Sequence, residues 1–361
     1  MSHFRLADDG NCECPPSDSP TTVTVSVPLS HEQDGASRAS TPDALEGRSL
    51  TPDPPHRTPD IDGGVALDRP RELRDVRRFS HEAMATVYEV YAVHRDPQYA
   101  AQAAQAAFDL VDRLERELSR FLPNSDITRI NHLGPGERTR VTPSTLECLL
   151  IARHMFDLTG GAFDVSIGTG LPALAFDPDE STVRATAQGV RVDLGGIGKG
   201  YAVDLMAELL EEWDLEVALV HGGFSSVLAL EPPPDLEGWP LTLSDPRTPS
   251  RVLERLSARQ TALSASGLRK GDHILDPRTG APVRGRLAAW VTLPRPRASA
   301  SDRDADEPRA AAATVADALT TAFMLLDRDQ VEAICRSSPG LEAWILEDAG
   351  LVHFAASARR L

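Results

Sequence analysis

Between Ala85 and Val93 apolar and polar positions alternate with period two, and the stretch is rich in β-branched and aromatic residues. That pattern predicts a half-buried strand. From Gln98 to Phe121 the period changes, with Ala104, Phe108, Val111, Leu114, Leu118 and Phe121 recurring at steps of three and four. This is the spacing of an amphipathic helix with its charges on the other face. Thr142-Pro143 reads as an N-cap and first-turn proline, and Ser144 to Leu158 as a second helix stopped by Gly160-Gly161. Further along, the pattern predicts a strand over Val190 to Leu194, a helix over Lys199 to Trp213 and a strand over Val217 to Val220. Leu341 to Glu347 and Leu351 to Ala355 flank Asp348-Ala349-Gly350 and read as a hairpin. Helices and strands mix without a strict βαβ repeat, so the expected fold class is α+β, mixed or antiparallel sheets packed with helices.

The pattern fails in two places. Residues 1–75 are crowded with Pro, Ser, Thr, Asp and Gly and hold few aromatics, so they cannot bury enough apolar area to offset the entropy of ordering. They are expected to form a disordered tail ahead of a single domain over 76–361. Residues 294–313 have a similar composition and are expected to be a disordered surface insertion. No apolar run approaches the roughly 20 residues that span a bilayer, so no membrane span is expected. The net charge of −17 argues against nucleic acid and against anionic membrane, both of which select for basic surface. An anionic ligand would need a local cation. The four cysteines, Cys12, Cys14, Cys148 and Cys335, are too scattered for a disulfide framework or a four-ligand zinc site. With no basic-then-apolar leader and no lipid-attachment context around Cys12, the expected compartment is the cytoplasm.

Four clusters carry candidate chemistry. Asp193-Leu194-Gly195-Gly196-Ile197-Gly198-Lys199-Gly200 sits between a predicted strand and a predicted helix. Its glycines allow close backbone approach, while the helix N-terminus and Lys199 offer positive potential to a phosphate. It matches neither the Walker A loop nor the Rossmann fingerprint, and a glycine-rich turn with a surface lysine is an equally good reading of it alone. Asp317 and Thr321 in Ala316-Asp317-Ala318-Leu319-Thr320-Thr321-Ala322 lie four apart on one helix face. A carboxylate and a hydroxyl so placed are hard oxygen donors suited to magnesium, or else a polar spot on a small-residue helix. His273-Ile274-Leu275-Asp276-Pro277-Arg278-Thr279-Gly280 and Thr159-Gly160-Gly161-Ala162-Phe163-Asp164 are turn-forming and say little by themselves.

Together and in order, these clusters, with Met84-Ala85-Thr86 and Ser119-Arg120-Phe121-Leu122-Pro123-Asn124-Ser125-Asp126-Ile127, resemble the FAD:protein FMN transferase family, ApbE. The resemblance spans Met84 to the C-terminus. It implies the transferase fold of that family and magnesium-dependent transfer of FMN from FAD onto a Ser or Thr hydroxyl of a target flavoprotein, such as a membrane redox subunit, with release of AMP. Residue by residue, it implies that Met84, Ala162, Phe163, Asp164, Asp193, Lys199 and Leu275 line the FAD site. Magnesium would be held by the Gly196 carbonyl, Asp317 and Thr321, and His273 would assist the transfer.

The chain also departs from the family pattern. Val220-His221-Gly222-Gly223-Phe224 stands where an Asn-Gly-Gly-Asp sequence is usual, Ser264-Ala265-Ser266-Gly267 where Thr-Ser-Gly is, and Ser166-Ile167-Gly168 where Thr-Val-Gly is. By the resemblance, these departures bear on the adenine side and the target-protein surface more than on the metal centre. An FAD pyrophosphatase using water in the same site, and a non-catalytic flavin-binding protein, are the alternative readings.

Overall fold

The period-two stretch around Tyr88 is a strand and the stretch after it a helix, but side chains, not the apolar pattern, set where that helix begins and ends. The structure, a computed structural model, describes residues 65–68, 73, 75–223, 225–268, 274–295 and 311–356. Its first half contains β1 (Val65–Leu67), β2 (Arg77–Ala83), β3 (Thr86–Ala92), α1 (Pro97–Leu118), α2 (Asp126–Ile130), β4 (Arg138–Arg140), α3 (Pro143–Leu158), β5 (Leu174–Asp177) and β6 (Thr182–Ala185). Next come α4 (Gly198–Glu212), β7 (Ala218–Gly222), β8 (Ser226–Ala229), β9 (Trp239–Asp245), β10 (Thr248–Ala258), β11 (Thr261–Gly267) and β12 (Arg286–Pro294). The last elements are α5 (Ala312–Phe323), α6 (Arg328–Ser337), β13 (Glu342–Glu347) and β14 (Gly350–Ala355).

One eight-stranded antiparallel sheet, in the order β14-β13-β12-β11-β8-β7-β3-β2, forms the centre. The pleat sends alternate residues to opposite faces, so each strand feeds two cores. Val90, Val220 and Leu228 join Phe108, Val111, Tyr201, Met206 and Phe323 beneath α1, α4 and α5. Tyr91, Leu219, Val227 and Ala229 join Trp239, Leu241, Trp290 and Trp344 on the other face. A three-stranded sheet, β1-β9-β10, supplies Leu241 and Leu243 to that second core, and another, β4-β6-β5, stands apart from the central sheet. The α+β expectation holds, with antiparallel ladders throughout the three sheets. Among the described residues no helix is long and apolar enough to cross a membrane.

Helix α1 starts at Pro97 because the Asp96 side chain accepts hydrogen bonds from the Gln98 and Tyr99 N–H groups. It stops at Leu118, where Ser119 turns extended. Phe121, counted in the apolar stripe, is therefore not in the helix and is 78 % exposed. The predicted strand over Val190 to Leu194 joins no ladder. Instead the Asn131 side chain grips Val192 at both backbone groups, accepting from its N–H at 2.6 Å and donating to its carbonyl at 2.9 Å. An amide side chain thus stands in for the neighbouring strand.

Val65–Leu67 also differs from expectation. These three residues, inside the stretch read as a tail, pair with β9 through Val65↔Leu243, Ala66↔Thr242 and Leu67↔Leu241. A three-residue strand is too short to carry a period. The rest of that stretch up to residue 64, and residues 296–310 of the expected insertion, lie outside the described residues.

Candidate active site

Several separate pieces of backbone meet at a cavity of about 860 Å³. They are the β2–β3 turn, the end of α1 and the segment after it, the loop after α3, the glycine loop into α4, the β7–β8 turn, the end of β11, the segment over Ile274 to Pro277, and α5. Small-molecule sites usually measure roughly 300 to 1,000 Å³. Met84, Ala162, Phe163, Asp164, Asp193, Lys199, Leu275, Gly196, Asp317 and Thr321 all line this one space. His273, the remaining predicted site residue, lies outside the described residues.

The floor is built by two helices in close contact. Asp317, on α5, is buried, and its Oδ2 accepts from the Gly200 N–H of α4 at 3.1 Å. Lys199 Nζ lies 3.7 Å from the same oxygen and donates to the Gly195 carbonyl at 3.0 Å. Burial pushes the Asp317 carboxyl above the usual carboxylate range, and Lys199 and the Gly200 N–H draw it part of the way back. Thr321 follows one turn along α5, where Ser266 Oγ lies 3.4 Å from its Oγ1 and 2.9 Å from that of Thr320. Gly196 faces this group closely, since a Cβ built there would stand 3.5 Å from Thr321 Oγ1.

The walls are held by short polar turns. Asp193 Oδ1 accepts from the Gly195 N–H at 2.9 Å, while its Oδ2 is 3.0 Å from Arg120 Nε. Arg120 in turn lies over the Phe121 ring, 4.3 Å from its centroid. Asp164 is engaged within its own loop, accepting from Ser166 N–H and Oγ and from the Gly168 N–H. This closes a turn that leaves Ile167 half exposed at φ 50°. Gly168 packs that turn on the backbone of Pro277, where a Cβ would come within 2.3 Å of the Pro277 carbonyl oxygen. Asp276 and Arg278 pair at 2.9 Å, and the guanidinium holds the Asp276 carboxyl below its usual range. On the opposite side Met84 and Ala85 form the β2–β3 turn, and Tyr88 donates its hydroxyl to Met84 Sδ at 3.2 Å.

Arg120 and Ser266 line the cavity although the sequence reading gave neither a role. Both stand within the stretches singled out there, Arg120 beside Phe121 and Ser266 next to Gly267, but nothing local tells that their side chains turn inward. With them, among the described residues, the lining holds four carboxylates, Glu115, Asp164, Asp193 and Asp317, against two cations, Arg120 and Lys199.

The ApbE family profile matches residues 84–305, more than half of the chain. The chain belongs to the ApbE family. It is 23 % identical to the FAD:protein FMN transferase of Vibrio cholerae serotype O1, over 77 % of this chain and 90 % of that protein. To the protein of the same description from Treponema pallidum it is 26 % identical, over 74 % of this chain and 84 % of that one. The solved structure of flavin transferase ApbE from Vibrio cholerae superposes with a TM-score of 0.65 at 21 % identity, covering 78 % of this chain and 98 % of that one. The apbe protein of Thermotoga maritima superposes equally well, with a TM-score of 0.65 at 23 % identity, covering 78 % and 97 %. In this chain the cavity floor rests on α4 and α5, and its lip on the segments around them.

The donor set suits a hard cation. Among the described residues no group of three His, Cys, Asp or Glu side chains could hold a metal. One carboxylate, one hydroxyl and a glycine backbone around the same space are the mixed oxygen ligands that magnesium takes when it keeps waters and binds a substrate phosphate.

Proposed function

We propose that this protein transfers the FMN half of FAD to a Ser or Thr hydroxyl on a target flavoprotein and releases AMP. The observation that carries the reading is convergence: ten residues assigned from five separated motifs line a single cavity. Lys199 and Arg120 are the cations facing the phosphates, set against a chain of net charge −17. The glycine loop lets the pyrophosphate approach the N-terminus of α4, where backbone N–H groups and the helix dipole favour an anion. Magnesium, held by Gly196, Asp317 and Thr321, would offset charge on the phosphate oxygens.

In the transfer the acceptor oxygen bonds to the FMN-side phosphorus, the bridging P–O bond breaks, and AMP leaves with that oxygen. The acceptor's proton passes to His273 in this assignment. Phosphoryl transfer depends mainly on positioning and charge stabilisation, so the polar turns that fix Asp193, Asp164 and Asp317 matter more than a row of acid–base groups. We assign the protein to the cytoplasm on its few, scattered cysteines, of which Cys148 and Cys335 are free and buried.

The test is incubation of the protein with FAD, magnesium and a candidate acceptor, followed by mass spectrometry and AMP assay. One FMN covalently on the acceptor per AMP released is the expected result. Free FMN in step with AMP would make it a pyrophosphatase instead, and FAD binding with no AMP a flavin-binding protein.

A further inference from the structure

Helices α4 and α5 both begin without a capping side chain of their own. The residues before them, Ile197 and Ala311, make no side-chain cap. The first N–H groups of any α-helix have no partner within it and must find one elsewhere. Here each helix supplies the other. Asp317 of α5 accepts from the Gly200 N–H in the first turn of α4. Asp204 of α4 accepts from the Ala313 N–H at 3.0 Å, the Thr314 N–H at 2.8 Å and the Thr314 hydroxyl at 2.6 Å, in the first turn of α5.

Both carboxylates are 2 % exposed. Gly200 makes the crossing possible, since a Cβ there would stand 2.3 Å from the Ala313 carbonyl oxygen and 2.8 Å from Asp317 Cβ. At its far end α4 is tied to the end of β12 by the two-pronged Arg295–Glu211 pair, at 2.8 and 2.9 Å. The position of α5 along α4 is thus fixed at Ala313 and Thr314, one turn before Asp317 and two before Thr321.

Only one of the two capping carboxylates reaches the cavity. Asp317 lines it and Asp204 does not. We infer that Asp204 is a positioning residue for the cation site: by holding the start of α5 against α4, it keeps Asp317 and Thr321 in register with the glycine loop. This rests on the reading of Asp317 and Thr321 as metal ligands. Asparagine at 204 cannot replace the bond network, because its amide offers one acceptor oxygen and a donor where Asp204 presents two acceptors to three donors.

The experiment is a manganese titration of the full chain with FAD and no acceptor, followed by electron paramagnetic resonance, for wild type, Asp204→Asn, Thr314→Val and Asp317→Asn. Removing a group that orients a metal ligand typically weakens metal binding by about 10- to 100-fold, so Asp204→Asn should fall in that range. FAD affinity measured in EDTA should stay within about twofold, because Asp204 does not touch the cavity. Thr314→Val, which removes one of the three bonds and covers the case in which Asp204→Asn does not fold, should lose about threefold in metal affinity.

A lower melting temperature with unchanged manganese affinity in both Asp204→Asn and Thr314→Val would make the network merely structural and overturn the inference. Asp317→Asn separates the two levels. If it loses manganese while the other variants keep it, only the positioning role falls. If it binds manganese like wild type, the metal assignment falls, and the positioning role with it.

Discussion

The floor and the lip of the cavity are built on opposite terms. On the floor, Asp317 is 2 % exposed, and its neighbour Gly200 sits in a helix pair with no room for a Cβ. At the lip, Phe121 is 78 %, Ile167 50 % and Leu275 42 % exposed, all outside the helices and the named strands. The floor presents charge that is costly to bury and is held by bonds from two sides. The lip presents apolar surface to water with little behind it, an arrangement suited to surface that a ligand or partner covers on arrival. Fixed charge and open apolar contact therefore belong to separate parts of the chain and can be broken separately.

The largest effect is expected on the floor. Asp317→Ala should lower magnesium-dependent turnover by roughly a thousandfold or more, with FAD affinity weakened far less, because the cation site chiefly offsets charge that develops in the transfer. Turnover that survives at full rate and is still abolished by EDTA would put the metal elsewhere. Lys199→Ala should weaken FAD binding or transfer by about ten- to a hundredfold, from a charge-assisted contact worth roughly 1.5 to 3 kcal/mol. Because Lys199 Nζ is also 3.7 Å from Asp317 Oδ2, the loss has two sources. Calorimetry of FAD without magnesium separates them: a lysine that serves only Asp317 leaves that affinity unchanged. Gly200→Ala should cost about 1–3 kcal/mol of stability by overpacking, since the blocking atoms are the Ala313 carbonyl and the Asp317 Cβ, which cannot swing away. A melting temperature equal to wild type would mean that the helices separate at no cost.

Much of the floor was legible in the sequence because its signals are local. Asp317 and Thr321 share a face by helical spacing alone, and the glycine loop announces a turn into a helix. The parts that escaped depend on partners far along the chain. Nothing near Asp204 foretells its bonds to Ala313 and Thr314, and nothing near Asn131 foretells that it holds Val192, which makes an apolar run look like a paired strand. At the lip the difficulty is different. Phe121 continues the stripe of α1 in register, and only the extended conformation of Ser119 takes it out of the core. Hydrophobic period alone cannot separate a core phenylalanine from one that the backbone has just released.

The floor also carries a pH dependence. Burial pushes the Asp204 carboxyl up from 3.8 to about 7, against the hydrogen bonds from Thr314 and Ala313 and the charge of Arg295. A folded-state value above the unfolded one means that the folded protein holds the proton longer. The stability this contributes is complete below the unfolded value of 3.8 and is lost as pH rises through about 7. Asp204→Asn lacks the titration. The stability difference between wild type and Asp204→Asn should therefore shrink between these limits, at no more than about 1.4 kcal/mol per pH unit for one proton. Denaturant melts at several pH values measure it, and parallel stability curves for the two proteins would show that Asp204 is ionised throughout.

The smallest effect is expected at the lip, in the β2–β3 turn. Ala83 pairs with Thr86, so Met84 and Ala85 alone make the turn, with φ 49° and 56°. Both central residues are left-handed, the geometry in which Asn-Gly is favoured. A side chain there costs roughly 1–2 kcal/mol per residue, because Cβ crowds the following carbonyl oxygen. Glycine at 85 removes that crowding but adds freedom to the unfolded chain, which takes back about 0.4–1 kcal/mol. Ala85→Gly should thus stabilise the protein by about 0.5–1 kcal/mol, a rise in melting temperature of roughly 2 °C for a domain of this size. Ala85→Asn should also stabilise it, since asparagine tolerates this conformation while keeping a Cβ. The strain sits beside Met84, whose Sδ accepts from the Tyr88 hydroxyl and which lines the cavity. A relaxed turn should hold Met84 less firmly, and FAD affinity should fall by about twofold in Ala85→Gly and less in Ala85→Asn. Melting temperatures at or below wild type in both variants would show that the turn is unstrained. A higher melting temperature together with unchanged FAD affinity would show that the strain serves no function at this lip.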